Sequence, residues 1–373
     1  MRNILFILYL LVSTLVQAQE LMVGEQSTIQ PALQQLGHKL LRHKTGSIVA
    51  IEPATGRVLC LVTNSLTGEN LDLALATPYP PGSTMKTAEA LMLYSEGIID
   101  DNTAISCQGG FRSGNIRVKC HQHHSPLRLT NALAYSCNTW FLTTFLRMID
   151  NRKLYADKEE AITTWNHYMR SMGLGGPTGI DLPGEKGGLM ANSNYLRRRY
   201  KDGWNAKTIM WIAMGQGDVT VTPLQLCVLA ASIANRGWWY RPHTQENTAD
   251  HLLSERYTTP HFTDATPSSY TAVIKGMRQA VLHGTLTGIN TAAYSLCGKT
   301  GTAENAGRDH SVFIGFAPMD SPSIAISVYI PHGGFGADMA APIASLVIER
   351  YLTGRLSTNA QHKANLLEAK RIE

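Results

Sequence analysis

The strand-forming segments of this 373-residue chain lie in two groups that are far apart in the sequence. Short runs rich in β-branched and apolar residues occur near the beginning and again in the last third, and the sequence between them is mainly helical in its periodicity. These runs cover residues 46–51, 57–62, 294–302, 311–317 and 324–329. The distribution predicts an α/β (α+β) fold in which one sheet is assembled from distant parts of the chain and a helical lobe is inserted at about residues 98–200.

Apolar residues at helical spacing mark the segments around these strands. We predict helices over residues 29–41, 127–148, 159–172, 222–234, 270–281 and 340–351, and one more that begins at Ser83. The turn residues between the first two strands, Glu52 to Gly56, predict a hairpin. Residues 353–373 are polar and are predicted to form a loose tail after a domain that spans residues 27–352.

The first 18 residues are typical of an export signal. A short basic start (1–3) precedes a mostly apolar run (4–16), and residues 16–18 resemble a small-residue cleavage site. The apolar run is shorter than the roughly 20 residues that cross a bilayer, which favours a cleaved signal peptide, with a short uncleaved anchor as the alternative. In both cases we expect the rest of the chain to be exported.

The charge distribution argues against a nucleic-acid partner. The formal net charge is +5, and the lysines and arginines are scattered along the chain. Proteins that bind nucleic acid usually concentrate such residues in a basic stripe. The hydrophobic content of 44% is ordinary for a globular protein and sufficient for a large core.

A serine and a lysine three residues apart, Ser83 and Lys86, open a predicted helix directly after Pro81 and Gly82. Residues at this spacing are neighbours on a helix, so a neutral lysine amine could take the proton of the serine hydroxyl. The helix N-terminus would add partial positive charge beside the developing alkoxide. A solvated first helical turn would give the same pattern, so the motif gains weight only from other parts of the chain.

Two further short motifs follow in the order that serine chemistry requires. Ser136 and Asn138 lie between two helical segments and could relay a proton and bind a carbonyl, although they could equally be helix caps. Lys299, with Thr300, Gly301 and Thr302 after it, lies on a predicted strand, where a cation and two hydroxyls could hold a carboxylate. An edge strand with an exposed lysine is the alternative interpretation of the second motif.

Together these motifs resemble those of class B penicillin-binding proteins, and more narrowly the transpeptidase domain of elongation-type penicillin-binding protein 2. The resemblance covers roughly residues 27–352. It rests on Tyr79-Pro80-Pro81-Gly82-Ser83-Thr84-Met85-Lys86, Gly179-Ile180-Asp181-Leu182-Pro183-Gly184-Glu185, Gly215-Gln216-Gly217, Thr222-Pro223-Leu224-Gln225 and Gly298-Lys299-Thr300-Gly301-Thr302-Ala303.

The resemblance implies a D,D-transpeptidase that cross-links peptidoglycan stem peptides in the periplasm or on the periplasmic face of the inner membrane. It implies an antiparallel sheet flanked by helices, Ser83 as the acylated nucleophile and Lys86 as its base. Ser136 and Asn138 would provide the proton relay and an amide contact, and Lys299, Thr300 and Thr302 would hold the substrate carboxylate. The backbone N–H groups of Ser83 and Thr302 would form the oxyanion hole, and catalysis would need no cofactor. β-Lactam antibiotics would bind at the same serine.

Relatives of this kind usually carry a long membrane-proximal pedestal before the catalytic domain, which mediates partnership with a membrane glycan polymerase. Here only a few residues separate the predicted signal from the first helix. Two expectations therefore stay open. The protein could work with such a polymerase, or it could be a stand-alone or accessory enzyme.

Three of the six cysteines lie close to the middle motif. In an exported protein the default is a disulfide, for which Cys107 and Cys120 are the obvious pair. Cys107, Cys120, His124 and Cys137 also form a Cys₃His set of the kind that binds structural zinc, with His121 or His123 as substitutes for His124. Some elongation-type relatives hold a zinc ion beside this motif. Cys60, Cys227 and Cys297 are predicted to be buried core residues.

Other functions of the same fold make different demands on the sequence. A class A β-lactamase would need a deacylating glutamate in a Glu-x-x-Leu-Asn setting, which the chain lacks, and the class D type carries valine in place of Asn138. A membrane-embedded β-lactam sensor would need spanning segments. A D,D-carboxypeptidase remains open, because the acceptor, water or an amine, cannot be inferred from these motifs.

Overall fold

The structure, a computed structural model, describes residues 27–372 except residues 66 and 250. The predicted export signal therefore lies outside the described residues. Within the described part of the chain, no helix is both long and apolar enough to cross a bilayer.

A five-stranded antiparallel sheet at the centre of the fold joins the two groups of predicted strands. The strands in chain order are β1 (Gly46–Ile51), β2 (Val58–Asn64), β3 (Gly110–Ser113), β4 (Ile116–Lys119), β5 (Leu189–Met190), β6 (Val219–Thr220), β7 (Trp238–Trp239), β8 (His261–Phe262), β9 (Cys297–Ala303), β10 (His310–Ala317) and β11 (Ile324–Ile330). The central sheet has the order β2-β1-β11-β10-β9, and β3-β4, β5-β6 and β7-β8 are separate pairs. The predicted antiparallel sheet is thus confirmed.

Thirteen helices are described within residues 27–372. They are α1 (Pro31–Leu41), α2 (Asp72–Leu75), α3 (Met85–Ser95), α4 (Leu129–Ala134), α5 (Asn138–Ile149), α6 (Lys158–Ser171), α7 (Ser193–Tyr200), α8 (Ala206–Ile209), α9 (Pro223–Ala234), α10 (Glu255–Thr258), α11 (Pro267–His283), α12 (Ala340–Thr353) and α13 (Thr358–Ala369). Each predicted helix has a counterpart whose ends differ by a few residues, except that the helix predicted over residues 127–148 is divided into α4 and α5.

Both faces of the sheet are covered by helices, which explains why its inner strands β1, β10 and β11 are almost entirely buried. All seven residues of β11 are buried. Ile326 and Val328 pack in the layer that contains α1 and α12, whereas Ser327 points the other way and donates a hydrogen bond to the carbonyl of Pro223 at the start of α9 (2.6 Å). Alternate side chains of a strand face opposite sides, so both sets must be apolar or hydrogen-bonded here.

The predicted helical lobe contains α4 to α8 and lies between α3 and α9. Its core holds the buried side chains of Trp140, Trp165 and Trp204. Helix α3 packs into this core and contributes Glu89, a fully buried carboxyl that accepts a hydrogen bond from the indole of Trp165 (2.7 Å). The lobe therefore fixes the helix that follows Ser83.

The prediction of a loose tail over residues 353–373 was wrong, because residues 358–369 form helix α13. Ala360, Ala364 and Leu367 occur at helical spacing and are buried against the α1 and α12 layer. The hydroxyl of Ser357 accepts a hydrogen bond from the backbone of Ala360 and so caps the helix. Glu368 pairs with a cation that follows α1, Arg42. Buried apolar contact, rather than the polar average of the segment, decides its structure.

Candidate active site

Ser83 lies in a 3-10 turn, Gly82–Thr84, that runs directly into α3. The turn is pressed against strand β9. Gly82 has a φ of 55°, and a Cβ atom there would lie 2.9 Å from the carbonyl oxygen of Thr302. A Cβ atom on Gly301 would lie 2.8 Å from the carbonyl oxygen of Pro81. Both glycines are therefore required for this close contact, which holds Ser83 beside the strand.

Lys86 connects the two predicted motifs around Ser83. Its Nζ atom lies 3.0 Å from Ser83 Oγ, 3.2 Å from Ser136 Oγ and 2.6 Å from Asn138 Oδ1. It also donates to the backbone carbonyl of Ser136 (2.9 Å). The structure thus brings together four side chains that the sequence separates by up to 55 positions, from Ser83 to Asn138.

The electrostatic state of Lys86 suits a base. Its side chain is fully buried. Burial lowers the pKa of Lys86 to about 8, although the thiols of Cys137 and Cys120 act in the opposite direction. An amine with this pKa is neutral in an appreciable fraction of molecules near neutral pH, and a neutral amine at 3.0 Å can accept the hydroxyl proton.

The helical stretch predicted over residues 127–148 is interrupted at Ser136, where α4 has ended and α5 has not begun. Ser136 has a φ of 55°, a left-handed conformation that is unfavourable for residues other than glycine. This turn directs both the carbonyl and the hydroxyl of Ser136 at Lys86. Asn138 Nδ2 donates to the carbonyl of Lys119 (2.7 Å), which orients the amide so that its oxygen faces the lysine.

Strand β9 is one of the two edge strands of the central sheet, so one row of its backbone N–H and C=O groups has no neighbouring strand. Thr300 and Thr302 line the cleft beside Ser83, as expected for alternate residues of one strand. Lys299, the residue before Thr300, is fully buried, and its Nζ donates to the carbonyl of Thr300 (3.0 Å). Burial, and then the nearby charge of Lys86, hold the pKa of Lys299 well below its ordinary value.

The cleft has a volume of about 350 Å³. Besides the predicted residues Ser83, Ser136, Asn138, Thr300 and Thr302, it contains groups that sequence reasoning did not place there. These are Lys119, Cys120, His121, Met214, Gln216, Glu304, Asp309 and Phe335. Gln216 belongs to one of the motifs that carry the family resemblance, whereas the others have no local signal, because they come from separate segments that reach the cleft only in the folded chain.

A cluster of potential metal ligands lies behind the Ser136–Asn138 turn. The ligand atoms of Cys107, Cys120, His123 and Cys137 lie within 4.8 Å of one another. The Sγ atoms of Cys120 and Cys137 are 3.9 Å apart, close to the roughly 3.8 Å between two sulfurs that each lie about 2.3 Å from one tetrahedral zinc. Hydrogen bonds from Cys137 and Thr139 lower the pKa of Cys120, which favours a thiolate ligand.

The histidine of this cluster is His123, so the choice of His124 was wrong. His124 Nε2 lies 3.3 Å from Asn131 Nδ2, away from the cysteines. His123 Nδ1 lies 2.7 Å from the carbonyl oxygen of His124, to which it can donate. Its Nε2 is buried and has no hydrogen-bond partner among the described residues. A buried, unpartnered nitrogen beside three sulfurs fits a metal ligand.

The predicted disulfide between Cys107 and Cys120 is not formed, and all six cysteines are free thiols. Cys107 Sγ instead lies 3.2 Å from the hydroxyl of Thr139, on the first turn of α5. The folded loops bring three sulfurs together, so no two of them form an isolated pair. Cys60, Cys227 and Cys297 are buried core residues, as predicted.

Comparisons with known proteins agree with this geometry. The sequence profile of the penicillin binding protein transpeptidase domain matches residues 46–349. The peptidoglycan D,D-transpeptidase MrdA of Acinetobacter baumannii is 32% identical over 83% of this chain and 52% of its own length. MrdA of Haemophilus influenzae is 26% identical over 92% of this chain and 58% of its own length. The chain thus spans a little over half the length of these relatives.

A solved structure shows the same fold. Penicillin-binding protein 2 of Pseudomonas aeruginosa, in complex with WCK 5153, is 27% identical and superposes with a TM-score of 0.76 over 89% of this chain and 77% of that one. The resemblance that the motifs indicated is therefore confirmed. The match of the family profile to most of the chain, together with the 32% identity to MrdA, shows that the chain belongs to the penicillin-binding protein transpeptidase family.

Proposed function

We propose that this chain is a peptidoglycan D,D-transpeptidase that works through an acyl-serine intermediate on Ser83. The observation that carries the proposal is the buried amine of Lys86, 3.0 Å from Ser83 Oγ and hydrogen-bonded to the side chains of Ser136 and Asn138. A serine hydroxyl becomes a useful nucleophile only beside such a base. The names of the relatives, which are D,D-transpeptidases, support the same reaction.

In the acylation step, neutral Lys86 takes the proton of the Ser83 hydroxyl while Oγ attacks the carbonyl carbon of the D-Ala-D-Ala bond. The backbone N–H groups of Ser83 and Thr302 stabilise the oxyanion of the tetrahedral intermediate. Collapse of this intermediate breaks the C–N bond. The leaving amine receives a proton through the hydroxyl of Ser136, and the terminal D-Ala departs.

In the second step the amine of another stem peptide attacks the ester carbon of the acyl-enzyme. Lys86 and the Ser136 hydroxyl now accept the amine proton, and Ser83 leaves with a proton restored to its oxygen. The new amide is the cross-link. No cofactor is needed for either step, because the base, the proton relay and the oxyanion donors all belong to the chain.

The donor stem is expected to lie along the edge of β9 as an added antiparallel strand, because the free N–H and C=O groups of this edge can pair with its backbone. The hydroxyls of Thr300 and Thr302 face the cleft and donate to the terminal carboxylate of the stem. Lys299, whose amine is buried beside the carbonyl of Thr300, would complete this carboxylate site. A β-lactam, whose carboxylate and acyl carbon have a similar spacing, would occupy the same positions.

Cys107, Cys120, His123 and Cys137 would hold a structural zinc ion. The ion would supply fixed geometry rather than reactivity, since four protein ligands leave no open coordination position. Cys137 lies between Ser136 and Asn138 in the same turn. Binding of its thiolate to the ion would therefore also fix the side chains of Ser136 and Asn138, which contact Lys86. Cys137→Ser is expected to lose about one zinc per chain, as measured by atomic emission, and to lower the rate of acylation.

The matched control for Cys137→Ser is Cys60→Ser, a buried cysteine outside the cluster. It should keep its zinc even if it loses some stability. A wild-type protein without zinc, or a Cys137→Ser variant with full zinc content, would contradict the metal proposal and leave the acyl-transfer proposal intact.

Labelling with a fluorescent penicillin tests the nucleophile. The wild-type chain should form a covalent adduct that persists for many minutes, and Ser83→Ala should form none. Ser95→Ala, at the other end of α3, is the control and should be labelled normally. Rapid release of hydrolysed drug would indicate a β-lactamase instead, and absence of any adduct would refute the proposed nucleophile.

The acceptor is tested with a stem peptide that ends in D-Ala-D-Ala. A transpeptidase should join it to an added stem amine, and the cross-linked product should appear together with free D-Ala. Release of D-Ala without a cross-linked product would indicate a D,D-carboxypeptidase. Export to the periplasm, and work with a glycan polymerase, remain proposals that rest on the sequence of residues 1–18 and on the family.

A further inference from the structure

The β7–β8 pair carries three aromatic side chains on its outer side. Trp238 lies opposite Phe262 in the antiparallel register, and its ring contacts Tyr240 with 5.3 Å between centroids. Phe262 is 72% exposed. On the inner side, Trp239 is buried and stacks on His261. Because cross-strand partners share a side of the pair, Trp238, Tyr240 and Phe262 form one outward surface, which we call the aromatic face.

The aromatic face lies at the end of the molecule opposite to the catalytic cleft. At the cleft end, the Tyr329 hydroxyl donates to the carbonyl of Pro80, and Ser47 pairs with Tyr329. At the other end, Asn235 lies three residues before Trp238 in the sequence. Its side chain donates a hydrogen bond to the carbonyl of Pro53, in the turn after β1. Strand β1 runs from the cleft end to this turn. Its six residues, at a rise of about 3.4 Å each, separate the two ends by about 20 Å.

The chain enters the folded domain beside this face. Ser27, the first described residue, forms a β-bridge with Gln245, and Thr28 N donates to the carbonyl of Thr244 (2.8 Å). The adjoining loop carries Leu252, which is 78% exposed, and is fixed to Gln245 through His251 (2.8 Å). Ten residues, 17–26, separate Ser27 from the apolar run 4–16. Even fully extended they span no more than about 35 Å.

We infer that the aromatic face, with Leu252, docks on the surface of a phospholipid bilayer. Tryptophan and tyrosine prefer the membrane interface, because one end of each ring is apolar and the other can hydrogen-bond. The inference rests on the alternative in which residues 1–18 stay attached as a short anchor. An exposed apolar surface within reach of that anchor has the membrane interface as its nearest apolar environment. Docking there turns the catalytic cleft away from the membrane.

Charge contributes little to this contact. The cations nearest to the aromatic face in sequence all donate to backbone carbonyls of their own domain: Arg236 to those of Ala234 and Met319, Arg241 to that of Thr178, and Arg256 to that of Gly179. Neutral lipid should therefore be sufficient, and the contact should resist high salt.

The test uses the full chain on vesicles of neutral phosphatidylcholine. Phe262→Cys places a thiol on the aromatic face, and Leu154→Cys places one on the helical lobe, where the native side chain is 50% exposed. The rate of reaction with a water-soluble maleimide is measured for each variant, and the rate of the parent chain with its own cysteines is subtracted. Penicillin labelling of Ser83 confirms that both variants are folded.

On vesicles, the Phe262→Cys thiol is expected to react at least about tenfold more slowly than the Leu154→Cys thiol, because a docked face excludes the aqueous reagent. Before vesicles are added, both should react at similar rates. Equal rates on vesicles would overturn the inference. Protection at position 262 before vesicles are added would overturn it too: dependence on protein concentration would assign the face to a second copy, and independence would assign it to residues that precede Ser27.

Discussion

The rate at which penicillin acylates Ser83 should depend on pH through Lys86. If the neutral amine is the base, the rate follows its neutral fraction. With the pKa of Lys86 lowered to about 8 by burial, this fraction is about one tenth at pH 7 and about nine tenths at pH 9. The second-order rate constant should therefore rise about tenfold between these values and level off above them.

A lysine with its ordinary pKa of 10.5 would behave differently. Its neutral fraction would rise about a hundredfold between pH 7 and pH 9 and would still be rising at pH 9. The two cases are separated by measuring the acylation rate from pH 6 to pH 9.5, corrected for hydrolysis of the drug itself. Circular dichroism at each pH confirms that the protein stays folded.

Substitution identifies the titrating group. Lys86→Ala should lower the rate by about 10²- to 10⁴-fold and abolish the rise with pH. Lys207→Ala, an exposed lysine on α8, should leave both unchanged. A wild-type profile that climbs a hundredfold without a plateau, or a Lys86→Ala variant that keeps the profile, would refute the assignment of Lys86 as the base.

Three further predictions concern packing and burial. Leu367→Ala, at a buried position on α13, should lower the free energy of unfolding in urea by about 2–3 kcal/mol. Leu366→Ala, at the exposed neighbouring position, should change it by less than about 0.5 kcal/mol. Similar changes in both variants would mean that α13 is not packed against the domain. Gly301→Ala should lower the acylation rate at least about tenfold, because even a 1 Å misplacement of reacting groups is costly. Gly307→Ala should leave the rate unchanged, because a Cβ atom there would meet nothing closer than 3.9 Å. A larger loss of rate in Gly307→Ala than in Gly301→Ala would contradict the close contact of β9 with the turn. Burial raises the pKa of Glu89 from 4.5 to about 8, so the folded chain keeps a proton that the unfolded chain loses. Stability should then fall by about 5 kcal/mol as pH rises from about 4.5 to 8, and Glu89→Gln should remove this part of the slope; parallel wild-type and variant curves would show that Glu89 is ionised in the folded state.

The sequence alone determined most of the longer helices, the five strands of the central sheet and the motifs that carry the family resemblance. Thr222 and Pro223 predict the start of α9 because capping and proline geometry are local properties, and the structure shows the full capping box with Gln225. The spacing of Ser83 and Lys86 was sufficient to predict their contact, since residues three apart on a helix are neighbours.

Only the tertiary structure decided how distant residues meet. His123 and His124 are adjacent, and no local rule distinguishes them; the folded loop directs one ring at the cysteines and the other at Asn131. Lys299 was predicted on the strand, but only the fold buries its amine against the carbonyl of Thr300 and brings it near Lys86, which the sequence separates from it by more than 200 positions. Local periodicity depends on neighbours a few positions apart, whereas these outcomes depend on the packing of elements that the sequence separates by many positions, and packing is a property of the whole fold.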